Sequence, residues 1–219
     1  MEKTILVTGK DTFLGNEILQ ILSAPGQKMA STVNPRPGSK VHWESADLQL
    51  VLPWNRGSPL GAKNILSEII SRFHSLDQVW LVLSPDIDSR GADEVSYSEL
   101  EEKLTQGLRG FFFLLKELQA YSRNRSILEV NFVLFHEKSS GTGPLSSCIY
   151  SGFQGIGQGA LNSHRGLSVR GFESCGNSGE SFMEYLKELA FSNKAPWGRW
   201  HIFQERKGLF PGMSKGGVR

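Results

Sequence analysis

The chain of 219 residues predicts an α/β fold, a doubly wound parallel sheet of about seven strands between two layers of helices. Three observations predict it. Apolar runs of strand length alternate with longer stretches of helical period, the order that stacks βαβ units. The run Val79-Trp80-Leu81-Val82-Leu83 has no polar alternation, as a strand covered on both faces requires, and so belongs in the middle of the sheet. The first apolar run, Ile5-Leu6-Val7, leads through the glycine turn Thr8-Gly9-Lys10-Asp11-Thr12-Phe13-Leu14-Gly15 straight into a helical stretch.

Strands are predicted at Thr4–Val7, Lys28–Val33, Val41–Ser45, Gln78–Leu83, Leu128–Phe135, Leu167–Glu173 and Trp200–Gln204. Helices are predicted between them at Leu14–Ser23, Ala62–Ser75, Tyr97–Ser122, Cys148–Ser163 and Ser181–Ser192. Ala24-Pro25-Gly26 ends the first helix with a turn, and Pro35-Arg36-Pro37-Gly38 closes the second strand. No repeat interrupts the order. Residues 1–206 therefore read as one domain, followed by a glycine- and lysine-rich tail at 207–219 that is a surface arm or partly disordered.

With 39% apolar and 21% charged residues the composition is that of a soluble globular protein, and a formal charge of +2 gives no reason to expect a nucleic-acid or membrane-surface partner. Cys148 and Cys175 sit in no paired motif, so no metal site is expected. The start Met1-Glu2-Lys3-Thr4 is too short and too acidic for a secretion signal, and no apolar stretch approaches bilayer length. A reduced, cytoplasmic setting is the expectation.

A strand, a tight glycine turn and a helix are the parts of a pyrophosphate site, because unpaired N–H groups and the helix dipole at the helix start favour an anion. In the usual fingerprint the first glycine makes the turn, the second lets the backbone approach the pyrophosphate, and the third lets helix and strand pack closely. Gly9 and Gly15 fill the first and third roles. The middle glycine is missing, replaced by Thr12 or Phe13 according to the spacing used. Thr12 adds a Cβ that crowds the phosphates and a hydroxyl able to cap the helix. The loop either holds a phosphate or serves the fold alone.

These residues resemble the short-chain dehydrogenase/reductase superfamily, whose shorter members carry Thr-Gly-x-x-x-Gly-x-Gly and whose extended members carry Thr-Gly-x-x-Gly-Phe-(Ile/Leu)-Gly. Thr8, Gly9 and Gly15 match both spellings, and Phe13-Leu14-Gly15 fits the second better. The resemblance implies a Rossmann-like fold and a dinucleotide against Gly9, Thr12, Phe13, Leu14 and Gly15. With no acid after the second strand, Arg36 and Lys10 favour NADP over NAD, unless both are merely solvated and no cofactor binds. Asp47, in Ala46-Asp47-Leu48 after the predicted third strand, is similar to the family's aspartate near the adenine.

Further along, each of the family's more specific motifs is altered. Val82-Leu83-Ser84-Pro85 stands where Asn-Asn-Ala-Gly should end the fourth strand, and Gly107 replaces the asparagine that helps hold a relay water. The resemblance places catalysis in Tyr-x-x-x-Lys with a serine upstream. Tyr150-Ser151-Gly152-Phe153-Gln154 keeps the tyrosine and puts Gln154 at the lysine position. A neutral amide supplies no positive charge to make a phenolate accessible. The serine position falls near His136-Glu137-Lys138-Ser139-Ser140, where Ser140, His136 or Lys138 would have to rebuild a site.

Gly152, Gly155 and Gly159 recur at helical spacing, and each glycine inside a helix costs roughly 1 kcal/mol relative to alanine. A tight helix contact would explain them. With the run Phe111–Leu115, this predicts a homodimer through the helices around 104–122 and 148–163, the helices the family uses. Two functional readings remain: a short-chain dehydrogenase-like chain that has lost redox catalysis and works as a nucleotide-binding, regulatory or scaffolding protein, or an active NADP-dependent oxidoreductase rearranged around Tyr150. A third assigns the cleft to another ligand, since fold alone does not fix function.

Overall fold

The computed structural model describes residues 2–204 apart from 36–39, 41, 45–48, 86–87, 124–126, 137–141, 163–165, 175, 177 and 193. Eight strands form one sheet in the order β3-β4-β2-β1-β5-β6-β7-β8. They are β1 (Thr4–Val7), β2 (Lys28–Val33), β3 (His42–Glu44), β4 (Gln49–Pro53), β5 (Gln78–Leu83), β6 (Leu128–Phe135), β7 (Leu167–Ser174) and β8 (Trp200–Phe203). Seven run parallel, and β3 alone pairs antiparallel, on the outer edge of β4.

The helices are α1 (Phe13–Leu22), α2 (Pro59–Phe73), α3 (Tyr97–Leu104), α4 (Gly110–Ser122), α5 (Pro144–Leu161) and α6 (Gly179–Leu186). The stretch predicted as one helix from Tyr97 to Ser122 is helical throughout, but a π-turn at Thr105–Arg109 divides α3 from α4. Such turns insert a residue into the helical ladder and often mark sites.

Alternation along the strands fills two cores. Ile5, Val7, Trp80, Val82, Val133 and Phe172 pack with α1 and α6 on one face. Leu6, Leu50, Leu52, Leu81, Phe132 and Val130 pack with α2, α4 and α5 on the other. All six positions of β5 are buried, as its unbroken apolar run requires.

The third parallel strand is Gln49–Pro53, not Val41–Ser45. Two short runs lie within a few residues of each other, and only the second leads directly into a crossover helix. Leu50, Val51 and Leu52 are buried on both faces, whereas a three-residue edge strand tolerates antiparallel pairing and solvent. The residues that follow the third parallel strand are therefore Trp54, Asn55 and Arg56, and Asp47 lies ahead of it, outside the described residues.

Strand order reverses at β1, between β2 and β5, so the crevice beyond the carboxyl ends of these strands is where a ligand of this fold binds. Its floor depends on one approach. A Cβ on Gly15 would lie 2.0 Å from the Gly9 carbonyl oxygen and 2.9 Å from that of Thr8. Gly15→Ala should push α1 off β1 and cost about 3 kcal/mol, read as a lowered urea midpoint.

Candidate functional site

The turn from β1 to α1 is held by side chains that the sequence itself supplies. Thr8 is fully buried; its hydroxyl accepts the Val82 N–H at 2.8 Å, while its own N–H donates to the Trp80 carbonyl at 2.9 Å, tying β1 to β5. Gly9 takes φ +72°, the left-handed region. Thr12, extended at φ −101°, caps α1: its hydroxyl accepts the Gly15 N–H at 3.1 Å and donates to the Gly9 carbonyl at 2.7 Å. The hydroxyl thus takes up one of the helix-start donors.

Thr12 and Phe13 line a cleft of about 670 Å³ at the switch point. Phe13 is 57% exposed and leans on the start of α6, where a Cβ on Gly179 would meet its ring at 3.1 Å. Leu14 instead points into the core under α1, and Gly15 makes the helix–strand contact. Asp11 also lines the cleft, and its carboxylate accepts the Asn34 N–H at 3.1 Å. The Lys10 N–H donates to the Thr32 carbonyl at 2.8 Å. Arg36 and Asp47 lie outside the described residues.

Across the cleft, Arg56 extends from the loop after β4. Its guanidinium carbon lies 4.7 Å from the Trp54 ring centroid and 4.9 Å from that of Phe111. Nη1 donates to the Gln106 carbonyl at 2.8 Å, within the π-turn. Burial pulls the Arg56 pKa down to about 10, with Asp11 pulling the other way. Lys103 and Glu102 of α3 complete the charged lining, two cations against two carboxylates.

Gly107 lines the cleft where the resemblance expects asparagine. A Cβ there would lie 2.7 Å from Cγ2 of Ile149, so α5 comes too near to leave room for the longer side chain. The loop after β5 is strapped down without the Asn-Asn-Ala-Gly motif. The Asp88 N–H donates to Ser146 Oγ at 2.9 Å, and the Gly143 N–H donates to the Asp88 carbonyl at 2.7 Å. Arg90 grips Asp88 through Nη2 at 2.7 Å and Nε at 3.0 Å, and reaches Glu99 at 3.0 Å.

Tyr150 follows Ile149, the α5 residue that lines the cleft. It is 6% exposed, and its ring stacks on His136 with centroids 4.5 Å apart and planes 17° apart. His136, just past β6, brings Nε2 to 3.6 Å from Glu173 Oε1. The other Glu173 oxygen accepts from Gln154 Nε2 at 3.0 Å and from Trp200 Nε1 at 2.7 Å. Gln154 is therefore held sideways onto β7 and β8. Ser140 and Lys138 lie outside the described residues.

The structure thus places Thr12 and Phe13 on the cleft with Gly9 in the turn bonded to Thr12, and brings Gln154 and His136 to Glu173, with Tyr150 stacked on His136. Sequence reasoning missed Arg56, because its strand was misassigned, and missed Glu173 and Trp200. An acidic residue ending an apolar parallel strand was the available signal for Glu173, since such ends face the ligand side of this fold. Among the described residues no group of three metal-ligating side chains occurs, and no helix is long and apolar enough to cross a membrane.

No protein-family model matches the chain, and no curated protein matches it in sequence. Solved structures do match. A short chain dehydrogenase from Mycobacterium avium is similar at TM-score 0.76 and 14% identity over 99% of this chain and 84% of its own. A short-chain dehydrogenase/reductase from Serratia marcescens gives 0.72 and 16% over 91% and 94%, and a short chain dehydrogenase from Bacillus anthracis gives 0.72 and 10% over 91% and 94%. The chain has the short-chain dehydrogenase/reductase fold, a Rossmann-like α/β sheet.

Arg90 holds the Asp88 carboxyl down at about 2, against 3.8 ordinarily, first through its side-chain hydrogen bonds. Glu99 also falls to about 2, through Ser96 first and Arg90 after it. Depressed carboxyl pKa values contribute stability above the unfolded values that is lost as pH falls through the folded ones. The urea-midpoint difference between the parent and Arg90→Met should therefore hold constant above pH 5 and close between about pH 4 and 2.

Proposed function

We propose that this chain binds a nucleotide in the switch-point cleft and does not carry out hydride transfer: a protein of dehydrogenase fold working as a binding, regulatory or scaffolding component. The observation that carries the reading is the fate of Gln154. Its amide is bound to Glu173, beside Trp200, so the position that a lysine fills in the family presents a neutral group clamped to a carboxylate. A carboxylate stabilises no phenolate on the neighbouring tyrosine. The ring of Tyr150 meanwhile packs on His136, away from the cleft-lining side chains.

Binding is supported by different residues. The Phe13 and Leu14 N–H groups stand at the open start of α1, Gly9 supplies the tight turn, and Arg56 and Lys103 supply positive charge in the same cleft. A nicotinamide dinucleotide fits this donor set in its pyrophosphate half. Such a group would carry a transferable hydride; here Thr12 and Phe13 would seat its phosphates, while the position that a lysine fills in the family holds Gln154, bound to Glu173. NADP is preferred to NAD: the Lys10 N–H bonds the Thr32 carbonyl of the second strand, and Arg36 follows that strand in sequence. Titration calorimetry should give sub-millimolar binding of NADPH, with no oxidation of it in the presence of aldehydes or ketones. Gln154→Lys should stay inactive, because the new ammonium would pair with Glu173; NADPH-dependent carbonyl reduction by that variant would refute the reading.

One observation favours an active oxidoreductase instead. Glu173, His136 and Tyr150 form a chain of contacts in which the imidazole sits between a carboxylate and a phenol. Turnover of NADPH by the parent chain, abolished in His136→Phe, would select it.

The chain further assembles as a homodimer through α4 and α5. Phe112 is 57% exposed on α4, and Gly155 and Gly159 of α5 have open space where a Cβ would stand. Those two glycines give up helix stability with no contact inside the protomer to account for it. Gly155→Leu should convert a dimer to a monomer in sedimentation at micromolar concentration, with secondary structure retained.

A further inference from the structure

A dinucleotide is two nucleosides joined through their phosphates, and a doubly wound sheet offers a place to each of them, one on either side of the switch point. The first half, beyond β2 and β4, opens into the cleft. The second half would lie beyond β5, β6 and β7, which puts its far end three strand spacings, roughly 14 Å, from the start of α1. Among the described residues the cleft is lined from the turn into α1, the loops after β2 and β4, the end of β5, α3, the π-turn and Ile149, and none of its lining comes from β6, β7 or α6.

The carboxyl ends of β6 and β7 are covered instead. Phe135, the last residue of β6, is buried and stacks on Phe182 of α6 with centroids 5.9 Å apart. Ser174, the last residue of β7, is fully buried, and its hydroxyl accepts the Gly176 N–H at 3.1 Å. Phe13 bridges the way between the two halves. It begins α1, where phosphates would sit, and its ring reaches the start of α6, so that a Cβ on Gly179 would meet it at 3.1 Å and the Phe135 ring at 3.8 Å. Past that contact, one Glu173 oxygen serves Gln154 and Trp200 and the other lies 3.6 Å from His136, which leaves the buried carboxylate turned inward from any second ribose. The first half keeps the means to hold an anion: the open start of α1, and Arg56, whose Nε is shut off from solvent without a hydrogen-bond partner among the described residues. Resting on the nucleotide reading of the cleft, we propose that the site takes a single nucleoside diphosphate, and that Phe13, seated against α6, excludes the second nucleoside of a dinucleotide. A terminal phosphate carries nearly two charges at neutral pH, and it reaches the helix start without displacing the ring. A nicotinamide dinucleotide then binds through its adenosine half alone, with the nicotinamide left in water.

The test compares ADP, NADH and NADPH by calorimetry on the full chain, with the emission of the dihydronicotinamide ring recorded on the same samples. The parent should bind ADP at least fivefold more tightly than NADH. The emission of NADH and NADPH should keep the wavelength and intensity of the free compounds, whereas a nicotinamide held in a pocket shifts to the blue and brightens. Phe13→Ala, at an exposed position, should cut the preference for ADP over NADH to below twofold and bring the blue shift with it. The emission measurement on the parent needs no variant and stands if Phe13→Ala fails to fold. Equal affinities for ADP and NADH in the parent, a blue-shifted emission in the parent, or an undiminished preference in folded Phe13→Ala overturns the proposal and leaves the nucleotide reading in place. Failure of ADP, NADH and NADPH alike to bind overturns both.

Discussion

Everything on the ligand side of the sheet depends on how closely α1 approaches the end of β1. The approach leaves no space for a β-carbon at Gly15, and it is held by a threonine hydroxyl that bonds the Gly9 carbonyl on one side and the Gly15 N–H on the other. Thr12 therefore does two things. Its hydroxyl accepts the Gly15 N–H, a donor at the helix start, and donates to the Gly9 carbonyl, closing the turn. Thr8, two strands deep, repeats the principle by bonding β5 through its hydroxyl. A fold built on a glycine-rich turn is thus kept with one fewer glycine, because hydroxyls satisfy the backbone groups that the turn exposes.

A second constraint acts on the Tyr150 side. Glu173 is 8% exposed, and a buried carboxylate persists only with donors around it. It finds them in Gln154 and Trp200, with His136 at the longer distance of 3.6 Å. These partners come from α5, β8 and the end of β6. One carboxylate consequently fixes the relation of three elements. Gln154 suits that cluster, since an amide donates to Glu173 without bringing a buried cation into it.

The sequence was legible where one rule decided the outcome. The unbroken run of β5, the glycine turn and the alternation of strand and helix gave six of the seven parallel strands and both helical layers. It failed at β3 and β4, where His42–Glu44 and Gln49–Pro53 compete for one place and only burial on both faces distinguishes them. That single slip hid Arg56. Glu173 escaped for another reason: periodicity shows that a strand ends there, but not that side chains from α5 and β8 converge on it. The glycines of α5 were legible as unusual, and the structure separates them. Gly152 and Gly157 face Leu108 and Trp200 inside the protomer, whereas Gly155 and Gly159 face open space.

The two clusters also explain why changes scattered along the sequence belong together. Gly107 has no side chain because Ile149 occupies the space, and Ile149 lines the cleft in the place next to a tyrosine that packs toward His136. The polar lining of the cleft comes from the β2 and β4 ends, with Asp11, Asn34 and Arg56, and from α3 and the π-turn, with Glu102, Lys103 and Gln106. The cleft thus keeps a balanced set of two cations and two carboxylates around the start of α1, while the Glu173 carboxylate is taken up by side chains of α5 and β8.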